Sequence, residues 1–343
     1  MKLYKRTSRA NIGSIDIFDI DRAMRIGVLA LEGLFDTGLT TVLDALATAN
    51  TLAQWMGIAT PGFDVTVMGV RPQVRTALGL QVPVCDAADA PPPDWVIVPA
   101  LGKIVAEQLL PALGRDDVLD ALDVLRRWHG AGAHLAAACT GTFVLAESGL
   151  LDGCEATTTW WLSPLFRQRY PQICLDAHRL VVPSGAMVTA GAALSHLDLA
   201  LWLIRNNSPE LAALAAKYLV YDTRLSQSGY VISDHLAHSD PLVERFDRWV
   251  RERLDVTLTL DAIAESLGTS KRTLSRRLDA VVGKTPVEYI QDLRIERAVQ
   301  LLKTSKHSVD QIAGQVGYSD GVTLRALLRR RLGKGIRELR PRE

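Results

Sequence analysis

Two groups of residues in this sequence are of types and spacings that can do chemistry. The first surrounds one thiol. In residues 136–146, Ala-Ala-Ala-Cys139-Thr140-Gly-Thr-Phe-Val-Leu-Ala, a run of small residues passes into a helical one with cysteine at the corner. A buried strand that turns sharply into a helix holds such a side chain at the C-terminal edge of a sheet, beside free helix N–H groups. This is the geometry of a nucleophile elbow. A thiol held there is open to a depressed pKa; a small apolar cysteine filling a strand–helix corner gives the same sequence. Residues 189–192, Thr-Ala-Gly191-Ala, read as a second turn of this kind, so the N–H groups of both turns are placed to receive a carboxylate or similar anion. Trp160 and Trp161 offer an aromatic wall that attracts a cationic nitrogen, although tandem tryptophans also serve as core or subunit contact. An amino acid or a betaine-like zwitterion satisfies both ends.

The second group is basic and repeated. Ile263-Ala-Glu-Ser-Leu-Gly-Thr-Ser270 recurs as Ile312-Ala-Gly-Gln-Val-Gly-Tyr-Ser319, with isoleucine, alanine, glycine and serine each displaced by the same interval. Each copy reads as a short helix, a glycine turn and a serine-started helix, the signature of a helix-turn-helix. After Ser270 the apolar stripe is Leu274, Leu278 and Val281. Arg272, Ser275, Arg276 and Asp279 lie opposite it, with Thr273 and Arg277 at the margins. Guanidinium groups fork onto guanine O6 and N7, while hydroxyls bond phosphates or bases. The second such helix, 321–332, turns Leu324, Leu327 and Leu328 inward and carries Arg325, Arg329, Arg330 and Arg331. A helix of about 18 residues from Pro286 joins the two units. It spans roughly 27 Å, which lets both recognition helices enter successive major grooves of one duplex.

These residues require particular elements to position them. Residues 26–31, 63–68, 94–99 and 134–138 read as buried strands, and 39–52 and 118–129 as amphipathic helices between them. Strand–helix alternation predicts an α/β domain with a flavodoxin-like parallel sheet sandwiched by helices, over 24–221. Residues 1–23 read as a leader and 222–240 as a polar linker. Residues 241–340 read as an all-helical double helix-turn-helix domain.

The charge follows that division. The net charge of the 343 residues is +1, but from Pro241 onward there are 21 basic against 14 acidic residues, and before it 18 against 24. A basic module on an acidic domain points to double-stranded DNA at one end only. The apolar segment 188–204 is interrupted by His196 and Asp198, so no signal peptide or membrane span is expected, and the chain reads as cytoplasmic. Four widely spaced cysteines without CxxC pairs predict reduced thiols, with no disulfide framework, metal site or cofactor.

Residues 241–340 strongly resemble the AraC/XylS family of transcription regulators. The match is carried by the Ile-Ala-x-x-Leu-Gly-x-Ser-x-x-x-Leu-x-Arg276 run, Gly283-Lys-Thr-Pro286, Arg294, Ala298, Leu301-Leu302, Ile312-Ala and Val316-Gly-Tyr-Ser-Asp320. The resemblance places Arg272, Ser275 and Arg276 at base-contacting positions of the first unit and Arg325 at one of the second. Gly335-Ile336 stands where the family usually has Ser/Thr-Pro, and Ala326 where a polar residue is common, so base reading is expected mainly from the first unit. Residues 24–221 resemble the class I glutamine-amidotransferase-like superfamily, which includes intracellular-protease-type cysteine hydrolases, through Ala-Ala-Cys139-Thr-Gly and the strands around it. That resemblance puts Asp36 near a carboxylate position. It also puts Thr159 where Thr-His-Trp often stands, so the histidine of the hydrolases is missing. Without a base a cysteine nucleophile lacks the partner that makes its thiolate. A ligand site using Asp36, Cys139, Thr140, Thr159, Trp160 and Gly191 is therefore expected, without catalysis. Together the two domains resemble the GlxA-type branch, which implies a ligand-responsive, homodimeric activator of catabolic genes for nitrogen-containing metabolites. A cysteine hydrolase with a DNA-binding tail and a Cys139 redox sensor are the alternatives.

Overall fold

The computed structural model describes residues 22–221, Gln227, 240–332 and 335–340. The expected leader up to residue 21 and the expected linker, apart from Gln227 and Asp240, lie outside the described residues.

The first domain is a three-layer α/β unit. Its strands are β1 (Met24–Ala30), β2 (Phe63–Gly69), β3 (Val74–Arg75), β4 (Gln81–Val82), β5 (Cys85–Asp86), β6 (Trp95–Val98), β7 (His134–Ala138), β8 (Glu155–Ala156), β9 (Cys174–Leu175), β10 (Val181–Ser184) and β11 (Met187–Ala190). The main sheet runs β10-β11-β7-β6-β1-β2-β5. Its five central strands are mutually parallel, in the order expected of a flavodoxin-like sheet. The sheet is not parallel throughout, however. β10 pairs antiparallel with β11, because Gly185, at φ +59°, lets the chain reverse within two residues. The expected parallel sheet thus forms its centre, and the β10 edge makes the sheet as a whole mixed.

Strand periodicity divides the core. In β7, Leu135 and Ala137 face one apolar cluster while Ala136 and Ala138 face the other. On the first side pack the helices α2 (Ala106–Leu113), α3 (Asp116–Gly130), α4 (Gly141–Glu147) and α5 (Ser163–Arg169); on the second, α1 (Asp36–Met56), α6 (Ser195–Asn207) and α7 (Pro209–Tyr218). Burial on both faces explains why β1, β6 and β7 read as unbroken apolar runs.

The second domain is helical: α8 (Pro241–Arg251), α9 (Leu260–Ser266), α10 (Lys271–Val282), α11 (Pro286–Thr304), α12 (Val309–Gln315), α13 (Gly321–Leu332) and α14 (Ile336–Leu339). It has two cores, and α11 contributes to both. Tyr289, Ile290 and Leu293 enter the first, while Ile295, Ala298, Leu301 and Leu302 enter the second. Asp240 caps α8, accepting from the Leu242 N–H at 2.8 Å, and Thr285 with Glu288 forms a capping box at the start of α11.

Candidate nucleic-acid interface and effector site

The two helix-turn-helix units form as the repeat predicts. Gly268 (φ +64°) and Gly317 (φ +75°) make the turns, and Ser270 caps α10 by accepting from the Thr273 N–H at 3.1 Å. Leu274, Leu278 and Val282 are the buried stripe of α10. Arg272 and Arg276 are exposed; Thr273 and Ser275 are half-buried. Arg277 is exposed too, but its Nε pairs with Asp240 at 3.2 Å, tying α10 to the cap of α8. On α13, Leu324, Leu327 and Leu328 are inward and Arg325, Arg329, Arg330 and Arg331 outward. Arg331 reaches back to Gln291 Oε1 at 3.2 Å. Each unit therefore carries at least two exposed guanidinium groups on a helix held by its own core.

Arg294 locks the two units together. It sits where α11 changes cores, donates to the Val256 carbonyl at 2.6 Å and lies 5.4 Å from the Tyr318 ring centroid. Its guanidinium also fills the space beside Gly317.

In the first domain the elbow is present. Cys139 has φ +56°, the left-handed region that non-glycine residues rarely adopt. The small residues allow it: a Cβ at Gly141 would meet the Pro99 carbonyl oxygen at 2.6 Å. The thiol is buried, and burial pushes its pKa up; the Ala193 and Thr140 N–H groups and the Thr159 hydroxyl near the sulfur pull the other way and do not offset it. Of the two readings open for this cysteine, the depressed pKa does not arise, because helix N–H groups do not compensate for the loss of solvent around the thiolate.

His196 is fixed as a neutral ring. Its Nε2 accepts from the Ala100 N–H at 3.1 Å and its Nδ1 lies 2.5 Å from the Ala193 carbonyl, so both nitrogens are used by backbone. Burial lowers its pKa to about 4. Gly38 of α1 abuts the ring, where a Cβ would not fit.

Three N–H groups of the anion cradle expected from the two turns are already engaged. The N–H groups of Cys139 and Gly191 donate to Ala190 O and Leu180 O, each within a hydrogen bond. The Ala192 N–H donates to Gln227 Oε1 at 3.0 Å. Other polar atoms at this edge remain open. Asp36 Oδ1, Thr159 Oγ1 and Ser195 Oγ are buried with no hydrogen-bond partner among the described residues; the nearby sulfur is too weak an acceptor to satisfy Thr159. Asp36 Oδ2 accepts from the Leu78 N–H at 3.1 Å, and Thr140 Oγ1 donates to Leu101 O at 2.7 Å. Trp160 is half-buried, edge-on to Trp161 at 5.3 Å, and Trp161 is anchored through Nε1 to Ile104 O at 2.9 Å. Asp36, Cys139, Thr140 and Gly191 thus share the C-terminal edge of the sheet, with 157–159 laid over it by the Thr158 hydroxyl bond to Cys139 O at 2.7 Å. Among the described residues no group of three or more His, Cys, Asp or Glu is placed to hold a metal ion.

Three functional candidates escaped sequence reasoning. Gln227 belongs to a stretch whose polarity reads only as linker. Arg167 and His178 meet the second domain, donating to the Val281 and Val282 carbonyls, and such a contact between distant segments leaves no local signal.

Comparison with known proteins fits this architecture. A family profile described as "Helix-turn-helix domain" matches residues 263–342. The HTH-type transcriptional regulator GbdR of Pseudomonas aeruginosa is 24% identical over 303 residues, covering 85% of this chain and 77% of that protein. The HTH-type transcriptional regulator ArgR of the same organism is 30% identical over 233 residues, 66% of this chain and 68% of its own. A crystal structure of a putative transcriptional regulator from Vibrio parahaemolyticus aligns with 58% of this chain and all of its own, at 21% identity and a TM-score of 0.48. The fold and paired reading heads define a DNA-binding transcription regulator. The chain belongs to the helix-turn-helix transcriptional regulators of the AraC/XylS type. No helix among its described residues is long and apolar enough to cross a membrane.

Proposed function

We propose that this regulator is a cytoplasmic homodimer that activates catabolic genes in response to a small nitrogen-containing metabolite, an amino acid or a betaine, sensed by its first domain. The observation that carries the reading is the set of unpartnered buried polar atoms at the sheet edge, above all Asp36 Oδ1. A buried carboxylate oxygen without a partner is costly, and an N–H donor or cationic nitrogen supplies what it lacks. Trp160 follows directly on the 157–159 segment at this sheet edge, and its ring suits the same nitrogen. We read this domain as a non-catalytic member of the class I glutamine-amidotransferase-like superfamily in the GlxA-type branch. The raised thiol pKa and the backbone-bound His196 both support a binding role over turnover. Footprinting of upstream DNA with a panel of amino acids and betaines tests it: one compound should change occupancy in the wild type and not in Asp36→Asn or Trp160→Ala. An unchanged response in both folded variants would refute the site.

One observation favours a second reading. Cys139 is held in a strained conformation that hydrolases use to present a nucleophile. Turnover of amide or ester substrates that disappears in Cys139→Ser would establish it.

A further inference from the structure

Gln227 is 2% exposed, although it comes from the polar stretch between the domains. Its Oε1 accepts from the Ala192 N–H at 3.0 Å. Its Nε2 donates to Ala177 O at 2.6 Å and Thr158 O at 2.9 Å, with Thr157 Oγ1 at 3.4 Å. One N–H donor facing two carbonyl acceptors is the complement of a primary carboxamide, which has one oxygen and two N–H bonds. A carboxylate in the same place would set an oxygen against both carbonyls, leaving buried acceptors unpaired. The fit also depends on Gly191, where a Cβ would lie 2.5 Å from Oε1.

The socket leads to the DNA reader. The Gln227 backbone N–H donates to His178 O at 3.0 Å, so side chain and backbone both hold the turn of residues 176–179. From that turn His178 Nε2 meets Val282 O at 3.3 Å. Arg167 of α5 donates to Val281 O at 3.3 Å and Val282 O at 3.0 Å. These carbonyls close the C-terminal end of α10, the first recognition helix.

We propose that Thr157, Thr158, Ala177 and Ala192 form a carboxamide-binding socket, that Gln227 fills it as a tethered ligand, and that its occupancy holds the sensor domain against the end of the first recognition helix. A free ligand bearing a primary carboxamide competes with Gln227 for the socket. The socket adjoins the proposed effector site, and it rests on that reading only in placing effector and latch at one sheet edge.

The test is hydrogen exchange, read by mass spectrometry, on full-length Gln227→Ala and Gln227→Glu. In Gln227→Ala, peptides covering 176–182 and 279–284 should exchange at least about tenfold faster, as expected for local opening once such bonds are lost. Peptides from 309–332 should not change. Acetamide, which replaces the deleted amide group, should restore protection in both regions; acetate should not. Gln227→Glu should lose the same protection and resist rescue, because its side chain still fills the socket. Unchanged exchange in both variants would overturn the proposal. Faster exchange at 176–182 alone would overturn the coupling, and rescue by acetate equal to that by acetamide would overturn the carboxamide selectivity. If Gln227→Ala loses protection throughout, wild type in excess acetamide decides: the Gln227 amide must exchange faster, and no change there refutes the socket. None of these outcomes bears on the effector reading, which the Asp36 and Trp160 variants test separately.

Discussion

Arg276 and Cys139 show how differently single residues depend on their surroundings. Arg276 is exposed on a capped helix, so its chemistry follows from its type and register. Arg276→Ala is expected to weaken operator binding by about 1–3 kcal/mol and to relax specificity at one base pair, measured by titrating operator variants. Arg277→Ala should do less to DNA, since that guanidinium already holds Asp240. Cys139 is the reverse case. Its position at an elbow suggests activation, but burial raises its pKa and keeps the thiol protonated near neutrality. In native protein, iodoacetamide at neutral pH should label exposed Cys85 and Cys174 well before Cys139, with peptide mass spectrometry counting the adducts. Early labelling of Cys139 would remove the argument for a binding role.

Elements add effects that no residue carries alone. The N-terminus of α6, the end of β6 and the start of α1 close around His196, whose pKa of about 4 lies below the ordinary imidazole value of about 6.5. The unfolded chain takes up this proton first, so stability should be complete above about pH 6.5 and fall as pH drops toward 4. For His196 the loss is on the order of 3 kcal/mol. Denaturant melts of wild type and His196→Gln between pH 4 and 7 should show a shallower pH slope in the variant; His178, also lowered to about 4, keeps part of it. Equal slopes would mean that His196 is not the group responsible. Helix α11 is the other composite element, since one helix serves two cores and Arg294 joins the α8–α9 connection at Val256 to the turn of the second unit. The spacing of the two reading heads is set there.

At the scale of the molecule, the dock between the domains passes through a few backbone carbonyls. Gly283 ends α10 at φ +71°, and its α-carbon is covered by the Arg167 guanidinium. Gly283→Ala should cost about 1 kcal/mol from backbone strain alone and more from displacing Arg167. The second part should vanish in an Arg167→Ala background. A double-mutant cycle on thermal stability isolates it, with a coupling of roughly 0.5–3 kcal/mol for residues in contact. Additive losses would show that Arg167 and Gly283 do not communicate.

Much of this was legible in the residues. The repeated Ile-Ala…Gly…Ser pattern determined both helix-turn-helix units, because capping serines, turn glycines and a 3.6-residue apolar period are local rules. The strand runs around Cys139 determined the parallel centre of the sheet and its elbow for the same reason. Tertiary structure alone decided the antiparallel edge at β10, the protonated thiol, the neutral His196, the Arg277–Asp240 pair and the Gln227 socket. Each depends on desolvation or on a hydrogen bond between segments far apart in sequence. The energy of such a contact belongs to the packed pair, and neither partner's identity announces it beforehand.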